Sequence, residues 1–159
     1  MADAVRLLAD DYKTKGKGEL PVDRIVYGYL IGKYGSTARQ HPIRSEGKER
    51  RIDFLIGTPE LGTFVELVVR RHGQEWQCSQ NGSELNKLVR ANGRVRALVI
   101  VDVSAYASIN HHQMRADYAG WKSTPGKFER KHITIVYSGA AATYSFGLKT
   151  GKKGVTLDN

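Results

Sequence analysis

From Ala2 to Tyr12 the apolar positions Val5, Leu7, Leu8 and Tyr12 recur at the spacings of a short amphipathic helix, and the polar, glycine-broken run Lys13 to Gly18 interrupts it. A second helix is predicted next: Pro21 suits a first turn, Ile25, Tyr27, Tyr29, Leu30 and Ile31 give a broad apolar face up to about Tyr34, and Gly35 suits the stop. The period then changes from helical to alternating. Pro42 to Glu46, a Gly47-Lys48 turn and Glu49 to Ile56 predict a hairpin; Gly57 to Gly62 predicts a second turn, and the β-branched run Thr63 to Arg71 completes a three-stranded meander. Ser83 is a good N-cap for a short helix to about Ala91 with a core stripe of Leu85, Leu88 and Val89, and Arg96 to Val103 predicts a buried strand. A further helix fits between Ala105 and Tyr118, Ser123 to Gly126 breaks it, and His132 to Tyr137 predicts a last strand. Gly147 to Gly154 looks like a phosphate-binding loop but is one residue short in its glycine spacing, with no Ser or Thr after Lys152, so it reads as a flexible basic tail.

Helix, three strands, helix, strand is the order of an α/β protein with a mixed central sheet flanked by helices, because a meander followed by a crossover helix brings the next strand in parallel. A length of 159 residues suits a single domain spanning 1–159. The longest apolar run, around Ala97 to Val101, is far too short to span a bilayer, so no membrane association is expected. Cys78 is the single cysteine, which excludes an intramolecular disulfide framework and a cysteine-rich zinc site. Together with a start, Met1 to Leu8, that lacks the pattern of a secretory leader, this makes a reducing, cytoplasmic setting the expectation.

Charge changes the picture further. With 25 Lys and Arg against 16 Asp and Glu the chain carries +9, and such a surface seeks polyanions. From Ala105 to the C-terminus eight basic residues face three acids, which makes this stretch the first candidate for nucleic-acid phosphates. Within it Trp121 with Lys122, and Phe128 with Arg130 and Lys131, interleave aromatic and basic side chains; Lys122, Lys127, Arg130 and Lys131 are the candidate nucleic-acid contacts. His41, His72, His111, His112 and His132 show no metal-ligand spacing.

Two acids stand out against the apolar pattern: Asp53 within Arg51-Ile52-Asp53-Phe54-Leu55-Ile56, and Glu66 within Phe64-Val65-Glu66-Leu67-Val68-Val69. A carboxylate buried without a partner is costly, so each must hold a cation, meet an arginine such as Arg44, Arg51 or Arg70, or lie at a strand end open to water. Two carboxylates on adjacent strands suit one Mg²⁺, which binds oxygen ligands and keeps several waters.

Over about Val22 to Ser104 this pattern resembles the PD-(D/E)XK, or restriction-endonuclease-like, superfamily, with Asp53 on the second strand and Glu66 on the third. The resemblance implies a nuclease-like core over 22–104 with a basic C-terminal elaboration over 105–159. It also implies Asp53 and Glu66 as ligands of Mg²⁺ or Mn²⁺, the Leu67 carbonyl as a further ligand, and DNA as substrate. The family's lysine two residues after the glutamate is Val68 here, and valine neither donates a hydrogen bond nor neutralises developing phosphoryl charge. Arg70, on the same strand face as Glu66, and Lys87, on the following helix, are the candidate replacements, since some members relocate the basic group. For Lys87 the helical wheel is adverse, because at ~100° per residue it points away from the Leu85, Leu88, Val89 stripe. Glu84 lies nearer the edge of that stripe. Two functions follow as expectations: a metal-dependent DNA nuclease with Asp53, Glu66 and Arg70 or Lys87 in its site, or a catalytically inactive nucleic-acid-binding or assembly protein on the same fold. Oligomeric state is left open by the sequence.

Overall fold

The computed structural model describes residues 20–45, 48–71, 76, 81–91, 95–104, 107–119, 121, 131–151 and 154–158. The predicted helix Ala2 to Tyr12, Cys78, and the candidate contacts Lys122, Lys127 and Arg130 lie outside these residues. The elements run α1 (Leu20–Tyr34), β1 (Thr37–Ser45), β2 (Lys48–Ile56), β3 (Thr63–Arg70), α2 (Gly82–Arg90), β4 (Val95–Asp102), α3 (His111–Ala119), β5 (His132–Gly139), β6 (Thr143–Gly151) and β7 (Gly154–Asp158).

Seven strands form one open mixed sheet in sequence order. β1, β2 and β3 pair antiparallel, β3, β4 and β5 pair parallel, and β5, β6 and β7 return to antiparallel. The two parallel steps move in one direction across the sheet, and right-handed crossovers then require both connecting helices to lie on one face. Accordingly α2 (Leu85, Leu88, Val89) and α3 (Met114, Tyr118) share a core cluster with Phe64, Leu98, Ile100 and Ile135. On the opposite face α1 buries Val22, Val26 and Leu30 against Phe54, Val65, Leu67, Val69 and Val101. β3 is thus covered on both sides, the reason its sequence reads as one apolar run rather than as an alternation.

The turn between β2 and β3 needs its glycines: Gly57 has φ +86°, and a Cβ at Gly62 would collide with the carbonyl oxygens of Ile56 and Thr58. The flexible tail expected over Gly147 to Gly154 is corrected by the structure. Ile133↔Leu148 and Leu148↔Leu157 are ladder pairs, and Leu148 and Val155 join the core, so hydrophobic anchors between the glycines and lysines hold this stretch in strands. Among the described residues no helix is long and apolar enough to cross a membrane.

Candidate functional site

The β2–β3 ladder has only three pairs, Phe54↔Val65, Leu55↔Phe64 and Ile56↔Thr63, after which the two strands part. On the other side of β2 the pairs Arg39↔Phe54 and His41↔Ile52 keep one register but skip Gln40 opposite Asp53. Gln40 has φ +50°, the single positive value at a non-glycine position among the described residues. The alternation of side chains inverts there. Arg39 lies over the Tyr27 ring of α1, whereas His41, two residues on, packs on Phe64 in the α2 face. Across the ladder Phe54 stacks on Tyr27 while Ile52 joins the α2 cluster.

Asp53 sits at this inversion and fills the seam. Its Oδ2 accepts the Leu67 N–H at 2.8 Å, in place of a backbone carbonyl, and its Oδ1 accepts a hydrogen bond from Gln40 Nε2 at 3.2 Å. Because the sheet is open here, residues from both of its faces line one cleft of about 420 Å³: Asp23 of α1, Arg39 and Gln40 of β1, Asp53, Glu66 and Leu67 of β2 and β3, and Glu84 and Lys87 of α2.

At the floor, Glu66 is fully buried and its Oε2 accepts a hydrogen bond from Lys87 Nζ at 2.6 Å, while its buried Oε1 has no hydrogen-bond partner. Burial first, and the neighbouring Asp53 charge second, lift the Glu66 carboxyl to about 8 in spite of Lys87. Burial also raises Asp53, against the opposing pull of the Leu67 N–H, the Lys87 charge and Gln40. For Lys87 burial acts downward, but the hydrogen bond and charge of Glu66 outweigh it and the ammonium is held above its usual value. At the mouth Asp23 pairs with Arg39, which rests against Tyr27. Ser83 Oγ donates to Glu84 Oε1.

Four acids and two bases line the cleft, so its field favours a cation. Among the described residues no three His, Cys, Asp or Glu side chains form a metal-holding group, so an all-protein cage is not built here. Mg²⁺ needs no such cage; one or two carboxylates suffice, the remaining positions being water. The orphaned Glu66 Oε1 and the electrostatic repulsion between Glu66 and Asp53 fit that demand, since a hard cation would satisfy the oxygen and relieve the repulsion.

Lys87 reaches Glu66 although the wheel turns it from the buried stripe. A wheel locates Cβ; here the four-carbon stem spans from the helix flank to the carboxylate, leaving the side chain one-fifth exposed. Arg70 lies elsewhere: its Nη1 donates to Asp102 at 2.7 Å and to the Ala107 carbonyl at 3.2 Å, outside the cleft. Val68 packs into the α2-face core. Lys131 donates to the Ala91 carbonyl at 3.1 Å, where Arg96 also caps the end of α2. Sequence reasoning missed Gln40, Asp23 and Arg39. It began the first strand at Pro42, and no residue type announces the positive φ at Gln40. No family model matches the chain, and no curated protein is similar to it at a significant level.

Proposed function

We propose that the protein is a metal-dependent DNA nuclease of restriction-endonuclease-like fold, working in a reducing, cytoplasmic setting. The observation that carries the reading is the Lys87 ammonium on Glu66, within the cleft that Asp53 shares, where Val68 leaves the motif's own lysine position apolar. Asp53 and Glu66 hold Mg²⁺ or Mn²⁺. When bound, that ion supplies an acidified water and charge neutralisation at the phosphoryl oxygens. The chain's own residues do the rest. Gln40 and the Leu67 N–H fix the Asp53 carboxylate, leaving it to bind in one orientation. Lys87 holds the Glu66 carboxyl in place through its hydrogen bond to Oε2 and, with three donors on a flexible stem, orients the attacking water and stabilises negative charge growing on the phosphoryl group. Arg70, paired with Asp102, takes no part.

The test is cleavage of plasmid and linear duplex DNA in Mg²⁺ or Mn²⁺ against EDTA, with Asp53→Asn and Lys87→Met beside the wild type. Metal-dependent cutting that disappears in both variants supports the reading. Salt-sensitive DNA binding with no cutting in any metal supports the second reading, a catalytically inactive nucleic-acid-binding protein, which Val68 favours.

A further inference from the structure

We propose that the outer half of the β1–β2 hairpin is a duplex-DNA arm that guides the phosphodiester backbone into the cleft, an inference that rests on the nuclease reading. Beyond Phe54 the described residues of β2 have no ladder partner on β3, and β1 is the edge of the sheet, so residues 41–45 and 48–52 form a two-stranded ribbon with no further strand paired to either side among the described residues. Its inner face is spoken for: His41, Ile43 and Ile52 pack toward Phe64 and the α2 cluster. The opposite face carries the Pro42↔Arg51 pair and, continuing inward, Gln40 opposite Asp53. The inversion at Gln40 thus places the exposed face of the ribbon in line with the cleft.

The charge is uneven in the same sense. Residues 41–52 contain Arg44, Lys48, Arg50 and Arg51 against Glu46 and Glu49, a net +2, whereas the cleft at the base of the ribbon, lined by Arg39 as well, is acidic. The Arg51 side chain is 63% exposed and, among the described residues, has its ion pair with Glu49 at 4.0 Å. Arg51 precedes Asp53 by two residues on β2, about 7 Å along the strand. A polyanion held by arginine on the ribbon therefore presents its next phosphate to the carboxylates. B-form DNA fits best, because its major groove admits a two-stranded ribbon and the narrow major groove of A-form RNA does not.

The test measures affinity for a short DNA duplex across a salt series in EDTA, using the full chain. Combined Arg44→Gln and Arg51→Gln, the two basic residues on the face of the Pro42↔Arg51 pair, should flatten the slope of log affinity against log salt by about 1–2, at about 0.9 for each phosphate left without its cation. Arg51→Gln alone, on an exposed side chain, should remove about 0.9 and guards against misfolding of the multiple variant. Stabilisation of the fold by Mg²⁺ should survive both. Wild-type slopes in both variants, with wild-type cutting intact, overturn the arm and leave the nuclease reading standing; that result is also the one expected if the charges only guard the free edges against aggregation. Loss of the slope on Lys122, Lys127, Arg130 and Lys131→Gln instead would move DNA binding to the C-terminal third and overturn the arm, as would equal binding of an RNA duplex. A wild type that binds no nucleic acid overturns the arm and the nuclease reading together.

Discussion

Four residues apart on one face of β3 stand two buried acid–base pairs with opposite histories of satisfaction. Glu66 is the acid of the first and takes its base, Lys87, from α2; Arg70 is the base of the second and takes its acid, Asp102, from its ladder partner on β4. Asp102 is fully used. Its Oδ2 accepts from Arg70 Nη1 at 2.7 Å and from Tyr137 Oη at 2.5 Å, and its Oδ1 accepts the Ser104 N–H at 3.0 Å. Burial and then Asp102 push the Tyr137 phenol up to about 12, so it remains a donor. The packing beside it is tight, since a Cβ at Gly139 would stand 2.8 Å from Tyr137 Oη. Glu66, by contrast, has one orphaned oxygen at the floor of an open cleft. The completed network ties the ends of β3, β4 and β5 to Ser104, Ala107 and Ile109, whereas the incomplete one borders open space.

The largest expected effect separates these two roles. Asp102→Ala strands the Arg70 charge and should cost about 3–5 kcal/mol in urea unfolding, while Glu66→Gln, which removes repulsion with Asp53 as well as the Lys87 ion pair, should stay within about 1 kcal/mol of wild type. Equal costs would dissolve the distinction. Next in size is the metal. At a Mg²⁺ concentration one hundred times its Kd, thermal and chemical unfolding should show about 2.7 kcal/mol of added stability, absent in Asp53→Asn with Glu66→Gln. A double variant still stabilised by Mg²⁺ would place the ion elsewhere.

The pH dependence of folding sharpens the contrast at a smaller scale. The Glu66 carboxyl is raised from 4.5 to about 8, so the folded state holds its proton more tightly than the unfolded chain does. Its contribution is complete below about pH 4.5 and disappears as pH rises toward 8. Relative to Glu66→Gln, the metal-free wild type should therefore lose stability progressively across that window, and saturating Mg²⁺ should abolish the loss. A difference curve flat in pH without metal would mean that Lys87 holds Glu66 ionised throughout. The smallest effect concerns Gln40. Gln40→Gly relieves the positive φ as it removes the bond to Asp53, and Gln40→Ala removes only the bond, so the glycine variant should be the more stable of the two by about 0.5–1 kcal/mol in matched melts.

Where one interaction dominates, the sequence is readable. Phe64 to Val69 is covered by helices on both faces and so reads as a strand, and a lone acid inside it is conspicuous because the surrounding run has no other polar group. Leu85, Leu88 and Val89 are spaced for one helical face and are the buried ones. Legibility fails where the outcome depends on the reach of a side chain or on a backbone angle. Lys87 is turned away on the wheel yet arrives at Glu66; Gln40 reverses the alternation of two strands with a φ that its side chain does not advertise. Asp102 looks like the end of an apolar strand, and its service to Arg70 and Tyr137 arises from strand order, which joins residues 32 and 35 positions away. The terminal hairpin is obscured by its lysines and glycines, though Leu148 and Val155 anchor it.

The hydrogen bond from the Leu67 amide has a practical consequence. Its proton points at a carboxylate oxygen in place of the peptide carbonyl that a continuous ladder would supply. The resonance of this one backbone proton is therefore a spectroscopic gauge of the charge on Asp53: downfield and protected from solvent exchange while the carboxylate is bare, displaced when a proton or a cation takes up the oxygen. The fold thus carries its own reporter, read through an amide on β3 without any label being introduced.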